Sequence, residues 1–104
     1  MKKLRLVFSD AAIADVVEQA DWYEGQSGAA LAKRWEKAVT SSLLRILKNP
    51  AAGTPCTFRR AELCEVRRAT IAGFPRHLLF YRFHRTEVFV LRVVHGARDL
   101  ENLF

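Results

Sequence analysis

The sequence predicts an α+β domain in the order β-α-α-β-β-β, with an αα-hairpin packed on one face of an antiparallel sheet. Three observations carry this reading. Between Phe74 and Asp99, two strongly apolar runs, FPRHLLFYRF and EVFVLRVVHGARD, flank a polar break at His84-Arg85-Thr86, the pattern of a β-hairpin. Upstream, two long segments carry apolar residues at helical spacing and meet at Gly25-Gln26-Ser27-Gly28. Near the N-terminus, Leu4, Leu6 and Phe8 alternate with Arg5 and Val7, as in a strand with one buried face. With 104 residues, half of them hydrophobic, the chain is expected to form a single domain over 1–104 with a core that needs no staples.

The elements follow in order. The N-terminus MKKLRLVFSDAA has two lysines before an apolar run, but the run is short, Arg5 interrupts it and Asp10 ends it. We read it as a first strand of a cytoplasmic protein. Ser9 stands as a helix N-cap, with Asp10 in the first turn where negative charge is favoured. Ile13, Val16, Val17 and Ala20 follow as the apolar stripe, Trp22 and Tyr23 close the segment, and Asp15, Glu18 and Asp21 occupy mostly the other face. This helix is expected to end near Gly25, with Ser27 capping the next.

The second helix is predicted from Ala29 to Lys48. Its stripe is Ala32, Trp35, Val39, Leu43, Ile46 and Leu47, with Lys33, Arg34 and Lys37 outward and Asn49-Pro50 as the stop. The helical aromatics fit a core stripe much better than a base-stacking surface. Ala51 to Pro55 is a connection, Cys56 to Phe58 a candidate short strand, and Leu63 to Ile71 a strand of mixed character. Arg67 and Arg68 are adjacent there, so one must approach the helix-covered face or its edge and needs a partner. Val88, Val90, Arg92 and Val94 are expected on one face of the last strand. Phe89, Leu91, Val93 and His95 are expected on the other. The face away from the helices should stay partly open unless a partner packs on it.

Charge and motifs narrow the chemistry. The formal net charge is +6, and the nine basic residues from Arg59 onward are all arginine. Arginine's planar fork suits carboxylate and phosphate, so an anionic partner, nucleic acid or an acidic protein segment, competes with a plain solvated surface. Cys56 and Cys64 lack the further ligands a zinc site needs; two free, partly buried thiols are expected, although a hairpin at Arg59-Arg60 would make a disulfide conceivable. No membrane span, cofactor motif, P-loop, catalytic triad or metal-ligand pattern is present. His95, Arg98 and Asp99 form a polar cluster at the end of the last strand. A histidine there can act as general acid or base and an arginine can hold phosphate, but on chemistry alone a structural cap of the hairpin is the favoured reading of the cluster.

Taken together, the Asn49-Pro50…Gly53 break, the Arg67-Arg68 strand, Gly73-Phe74-Pro75, Leu79-Phe80-Tyr81-Arg82 and the run Leu91 to Asp99 resemble the RelE/ParE superfamily of bacterial toxins. The ending His95-Gly96-Ala97-Arg98-Asp99 is more similar to the ParE branch. The resemblance covers nearly the whole chain. It implies the toxin of a type II toxin–antitoxin pair, held in a hetero-oligomer by a cognate antitoxin whose segment orders on binding. ParE-like members poison DNA gyrase without catalysis. On that reading Arg67, Arg82 and Arg92 on the sheet, and the tail, would contact partners. RelE-like members cut mRNA on the ribosome. There His95 would be the acid or base, and Arg67, Arg76 and Arg98 would hold the phosphate for in-line attack by a ribose 2′-hydroxyl, without metal. Glu65 and Arg67 stand where RelE has lysines, and no tyrosine follows Arg98, which weakens the nuclease alternative. A member that keeps antitoxin binding but has lost toxicity is a third possibility.

Overall fold

The computed structural model describes residues 4–60 and 63–96. Strand β1 (Arg5–Phe8) leads into helices α1 (Asp10–Ser27) and α2 (Ala29–Lys48). A 3-10 turn (Pro50–Ala52) follows, then strands β2 (Thr54–Pro55), β3 (Arg67–Ile71), β4 (Phe74–His84) and β5 (Glu87–His95). The five strands form one sheet in the order β1-β5-β4-β3-β2. The expected α+β order is therefore present. The sheet is mixed, however: β1 joins the β5 edge in parallel, with Leu6 beside Val88 and Phe8 beside Val90, while the other pairs are antiparallel. No local turn signal records such a pairing between distant segments. No helix among the described residues is long and apolar enough to cross a membrane.

The small second strand sits at Thr54–Pro55, not at Cys56–Phe58. Pro55 has no N–H to donate and so suits a two-residue edge strand. The next strand begins at Arg67 rather than Leu63, because Leu63 to Glu65 form a turn in which Glu65 takes φ 68°. Helix α1 runs on to Ser27, and Gly28, at φ 89°, makes the break between the helices; α2 has no side-chain cap there.

Both helices lie on one face of the sheet. The stripe of α2 predicted from spacing is the buried one: Trp35 is fully enclosed, and Val39, Leu43 and Ile46 pack with Leu79, Tyr81, Val88 and Val90. On α1 the buried line is Ala12, Val16, Ala20 and Tyr23, while Ile13 and Val17 are about half exposed at 50% and 53%. Ala12, at 0% exposure, lets the helix lie close to the strands.

The opposite face is less open than expected. Residues on either side of the β2–β3 connection fold over it, so that Cys56, Phe58, Leu63 and Val66 cover Leu78, Phe80, Leu91 and Val94 in a second, smaller core. Arg82 and Phe89, paired across β4 and β5, lie beyond that cover. Both thiols are free; Cys56 is half-buried within the cover and Cys64 is exposed.

Candidate functional site

The site is assembled around an irregularity in β5. Opposite Phe80 and Tyr81 of β4 stand Arg92 and Val90 of β5, so β5 carries one extra residue at Leu91. The slip changes which residues face the helices. Val88 and Val90 lie in the helix-side core as alternation predicts, but beyond the bulge Val93 joins that core and Val94 belongs to the opposite one. The expected grouping of Val94 with Val88 and Val90 therefore fails at a bulge that no turn residue announces.

The bulge, and the end of the β1 pairing at Phe8 and Val90, leave backbone groups of β5 without a ladder partner, and these must find partners elsewhere. Helix α1 supplies them. The Ser9 hydroxyl donates to the Leu91 carbonyl at 2.7 Å and accepts from the Ala12 N–H at 3.0 Å, so the helix cap is also a clamp on the bulge. The Asp15 carboxylate accepts the Val93 N–H at 2.9 Å. The same carboxylate takes Arg92 in a fork, Nε to Oδ2 at 2.8 Å and Nη2 to Oδ1 at 2.9 Å. The pair is mostly enclosed, with side-chain exposures of 19% for Arg92 and 11% for Asp15. Hydrogen bonding from Asp15 raises the Arg92 pKa further above its ordinary value, against the opposing effect of burial, and keeps the guanidinium charged. Helical spacing puts Asp15 mostly on the outer face; in the structure it flanks the buried line.

Beyond this pair, α1 and the ends of β4 and β5 enclose a cleft of about 840 Å³, walled by Glu18, Trp22 and Tyr23 on one side and by Phe74 to His77 and Val93 to His95 on the other. Its floor is aromatic. His77, 6% exposed, sits 4.7 Å from the Trp35 ring centroid and 5.6 Å from that of His95, with Tyr23 and Phe74 completing the box. Burial, and then the neighbouring His95, push the His77 pKa below its ordinary value, so the ring is neutral at pH 7. The Trp35 indole N–H is tied to the Val16 carbonyl at 3.1 Å, which fixes the box against α1. Trp22, 57% exposed, and Arg76, also exposed, stand at the rim, and the Gly96 N–H closes on the Arg76 carbonyl at 2.8 Å.

A second constellation lies at the other end of β4. The Tyr81 hydroxyl donates to the Pro50 carbonyl at 2.7 Å and accepts from the Gly53 N–H at 3.0 Å. Arg67, paired with Tyr81 across the strands, donates to the carbonyls of Ala51 and Gly53 at 3.1 and 2.8 Å. Arg67 is thus the member of the adjacent arginine pair that approaches the helix side, and its partners are the carbonyls after α2. Gly53 is required there: a Cβ on it would stand 2.8 Å from the Tyr81 ring carbons Cε1 and Cζ.

These positions separate the residues singled out from sequence. His95 and Arg76 line the cleft together. Arg67 pairs with Tyr81, which is four positions, about 13 Å, along β4 from His77, the partner of His95. Arg98 and Asp99 lie outside the described residues. The three sheet arginines do not share one face: Arg67 lies on the helix side, Arg92, opposite Phe80 in register, is drawn to Asp15 of α1, and Arg82 lies on the face away from the helices beside Phe89. Among the described residues, no three histidine, cysteine or carboxylate groups converge as a metal site would. Sequence reasoning missed Asp15, Tyr23 and His77. The one available signal was that Arg92, in an apolar run, needed a buried acid, and α1 holds the nearest supply.

With this geometry in place, the comparison with known proteins is decisive. The profile of a family described as the ParE toxin of the type II toxin–antitoxin system parDE matches residues 6–100. The chain belongs to the ParE toxin family. It is accordingly the toxin component of a type II toxin–antitoxin system. Among solved structures, it is similar to a chain of the chromosomal ParDE toxin–antitoxin system from P. aeruginosa, with a TM-score of 0.72 and 17% identity over 88% of this chain and 95% of that one. At that identity the likeness is one of fold. No curated protein matches the chain significantly in sequence. Two of the motifs that mark the RelE/ParE resemblance fall in the two constellations: Asn49-Pro50…Gly53 with Tyr81 in the second, and the described part of the Leu91–Asp99 run, Leu91 to Gly96, in the bulge and cleft.

Proposed function

We propose that this ParE-family toxin acts in the cytoplasm by binding and inhibiting DNA gyrase, and that a cognate antitoxin silences it within a hetero-oligomer by seating a segment in the cleft beside α1. The observation that carries an inhibitor over a nuclease is the distance between parts. The proposed base His95 sits in the cleft, whereas Arg67, proposed to hold phosphate, is bonded to backbone carbonyls at the far end of β4. In-line phosphoryl transfer depends on charge stabilisation within about 3 Å of the reacting oxygens, and a separation several times larger cannot supply it.

The cleft suits a protein segment. It joins an aromatic floor to a polar rim at which Trp22, Arg76 and His95 are exposed, a combination common in protein interfaces. Arg82 and Phe89 offer a second contact region on the opposite face. The test uses purified toxin, gyrase and plasmid. Supercoiling should be lost and cleaved DNA should accumulate, and added antitoxin should reverse both. Trp22→Ala should weaken antitoxin binding while leaving the fold intact. Untouched gyrase together with codon-positioned mRNA cuts on translating ribosomes, abolished by His95→Gln, would overturn the inhibitor reading.

A further inference from the structure

The two helices have segregated charge. Helix α1 carries Asp10, Asp15, Glu18, Asp21 and Glu24 and no basic residue; α2 carries Lys33, Arg34, Lys37, Arg45 and Lys48 against a single acid, Glu36. Surfaces that only need solubility intersperse both signs. On a helix of 3.6 residues per turn, the five cations of α2 fall within an arc of roughly 120°, with Glu36 outside it. From Lys33 to Lys48 this arc runs about 22 Å along the axis. All five residues are exposed, and among the described residues Lys33, Arg34, Lys37 and Lys48 enter no ion pair. The acids of α1 therefore do not neutralise them.

A second feature adjoins the arc. Arg45, which spends one N–H on the Thr70 carbonyl at 3.0 Å, is also the wall of a groove of about 520 Å³ between α2 and the β3 edge. Asn49, Thr54 and Thr70 line the same groove beside Ile46, Ala52, Ala69 and Leu78, so the convex row of cations ends at Arg45 on the lip of a concave surface of mixed polarity.

We propose that the outer face of α2, from Lys33 to Arg45 and Lys48, binds the phosphate backbone of duplex DNA without sequence preference. Phosphate contacts need cations and hydrogen-bond donors in a row, which this face supplies. Single strands would ask for exposed aromatic rings to stack bases, and the only large apolar side chain exposed on α2 is Leu44. The surface lies away from the α1 cleft, so DNA and antitoxin contacts are separable. The choice of DNA over duplex RNA rests on the gyrase reading; the phosphate surface does not.

The test omits gyrase. Anisotropy of a labelled duplex of about 30 base pairs, titrated with toxin between about 50 and 200 mM salt, should give a log–log slope near −4, as four to five phosphate contacts require. The K33Q/K37Q/K48Q variant, which keeps good helix formers, should flatten that slope by about 2.7. Arg85→Gln, a charge loss on the β4–β5 turn, should leave it nearly unchanged. Absence of duplex binding at the lowest salt, or equal loss in Arg85→Gln, overturns the proposal. So does a preference for duplex RNA, or a triple variant that loses antitoxin affinity while its DNA slope is unaltered. Duplex binding of the stated slope beside an untouched gyrase keeps this surface and removes only the gyrase reading.

Discussion

Replacing Asp15 by alanine tests the arrangement on which the cleft depends. The substitution removes both acceptors of the Arg92 fork and the acceptor of the Val93 N–H. Deleting one partner of a buried ion pair costs about 3–5 kcal/mol, because the other charge remains buried without compensation. Here 19% of the Arg92 side chain stays exposed and Glu18 still attracts the guanidinium, so part of that penalty is relieved. The unpaired Val93 N–H, on the edge of β5 beyond the end of β1, adds about 1 kcal/mol. The expected loss is therefore about 3–4 kcal/mol out of a total of about 5–15 kcal/mol for a domain of this size. In thermal unfolding this corresponds to a fall in Tm of about 12–30 °C. Urea titration followed by Trp fluorescence reads the same quantity as a lowered midpoint at unchanged m-value. Asp15→Leu with Arg92→Met, which removes both charges, should recover most of the ion-pair cost but not the Val93 hydrogen bond. A loss below about 1 kcal/mol for Asp15→Ala, the range of exposed pairs, would refute the claim that α1 holds the bulge through this carboxylate.

Three further outcomes follow from the same geometry. Gly53→Ala forces a methyl against the Tyr81 ring and should cost about 1–3 kcal/mol by urea titration; because the hydroxyl is the group it meets first, the cost should be smaller in a Tyr81→Phe background. Ser9→Ala removes a helix cap and the partner of the Leu91 carbonyl, and should cost about 1–2 kcal/mol in the same assay. The depressed pKa of His77 means that on acidification the unfolded chain takes up this proton first. Stability should be full above about pH 6.5, decline as pH falls from there to the folded-state pKa, and lose nothing further to this group below it; His77→Gln should flatten that part of the profile.

Much of the architecture was legible because local pattern and final packing agree. The α2 stripe, read from spacing alone, is buried as read, and the Asn49-Pro50 stop lies where the helix ends. The apolar hairpin is β4 and β5. What spacing could not supply are choices made between distant segments. On α1, Ile13 and Val17 are as apolar as Val16, and only contact with β5 decides that Ala12, Val16 and Ala20 face inward. The parallel seat of β1 beside β5 has no turn to announce it. The bulge is written in Leu91-Arg92-Val93-Val94, a run apolar enough on both sides of Arg92 that either alternation looks acceptable. A strict period of two puts Val94 in the wrong core and makes one surface of arginines that the fold disperses to three places.

That slip also makes the site. Without the extra residue, strict alternation would carry Val93 and His95 to the face away from the helices, with Phe89 and Leu91. With it, Val93 turns into the helix-side core and His95 comes to rest against His77, in the same cleft as Trp22 and Tyr23. The strand then reaches Gly96 at the cleft rim, fastened to Arg76. The buried pair of Asp15 and Arg92 is therefore more than a source of stability. It fixes the register in which the last strand presents its histidine, and it does so from the helix that forms the opposite wall. A partner seated between α1 and β5 would read both sides of one clamp. Weakening the clamp should loosen partner binding even where every residue lining the cleft is unchanged.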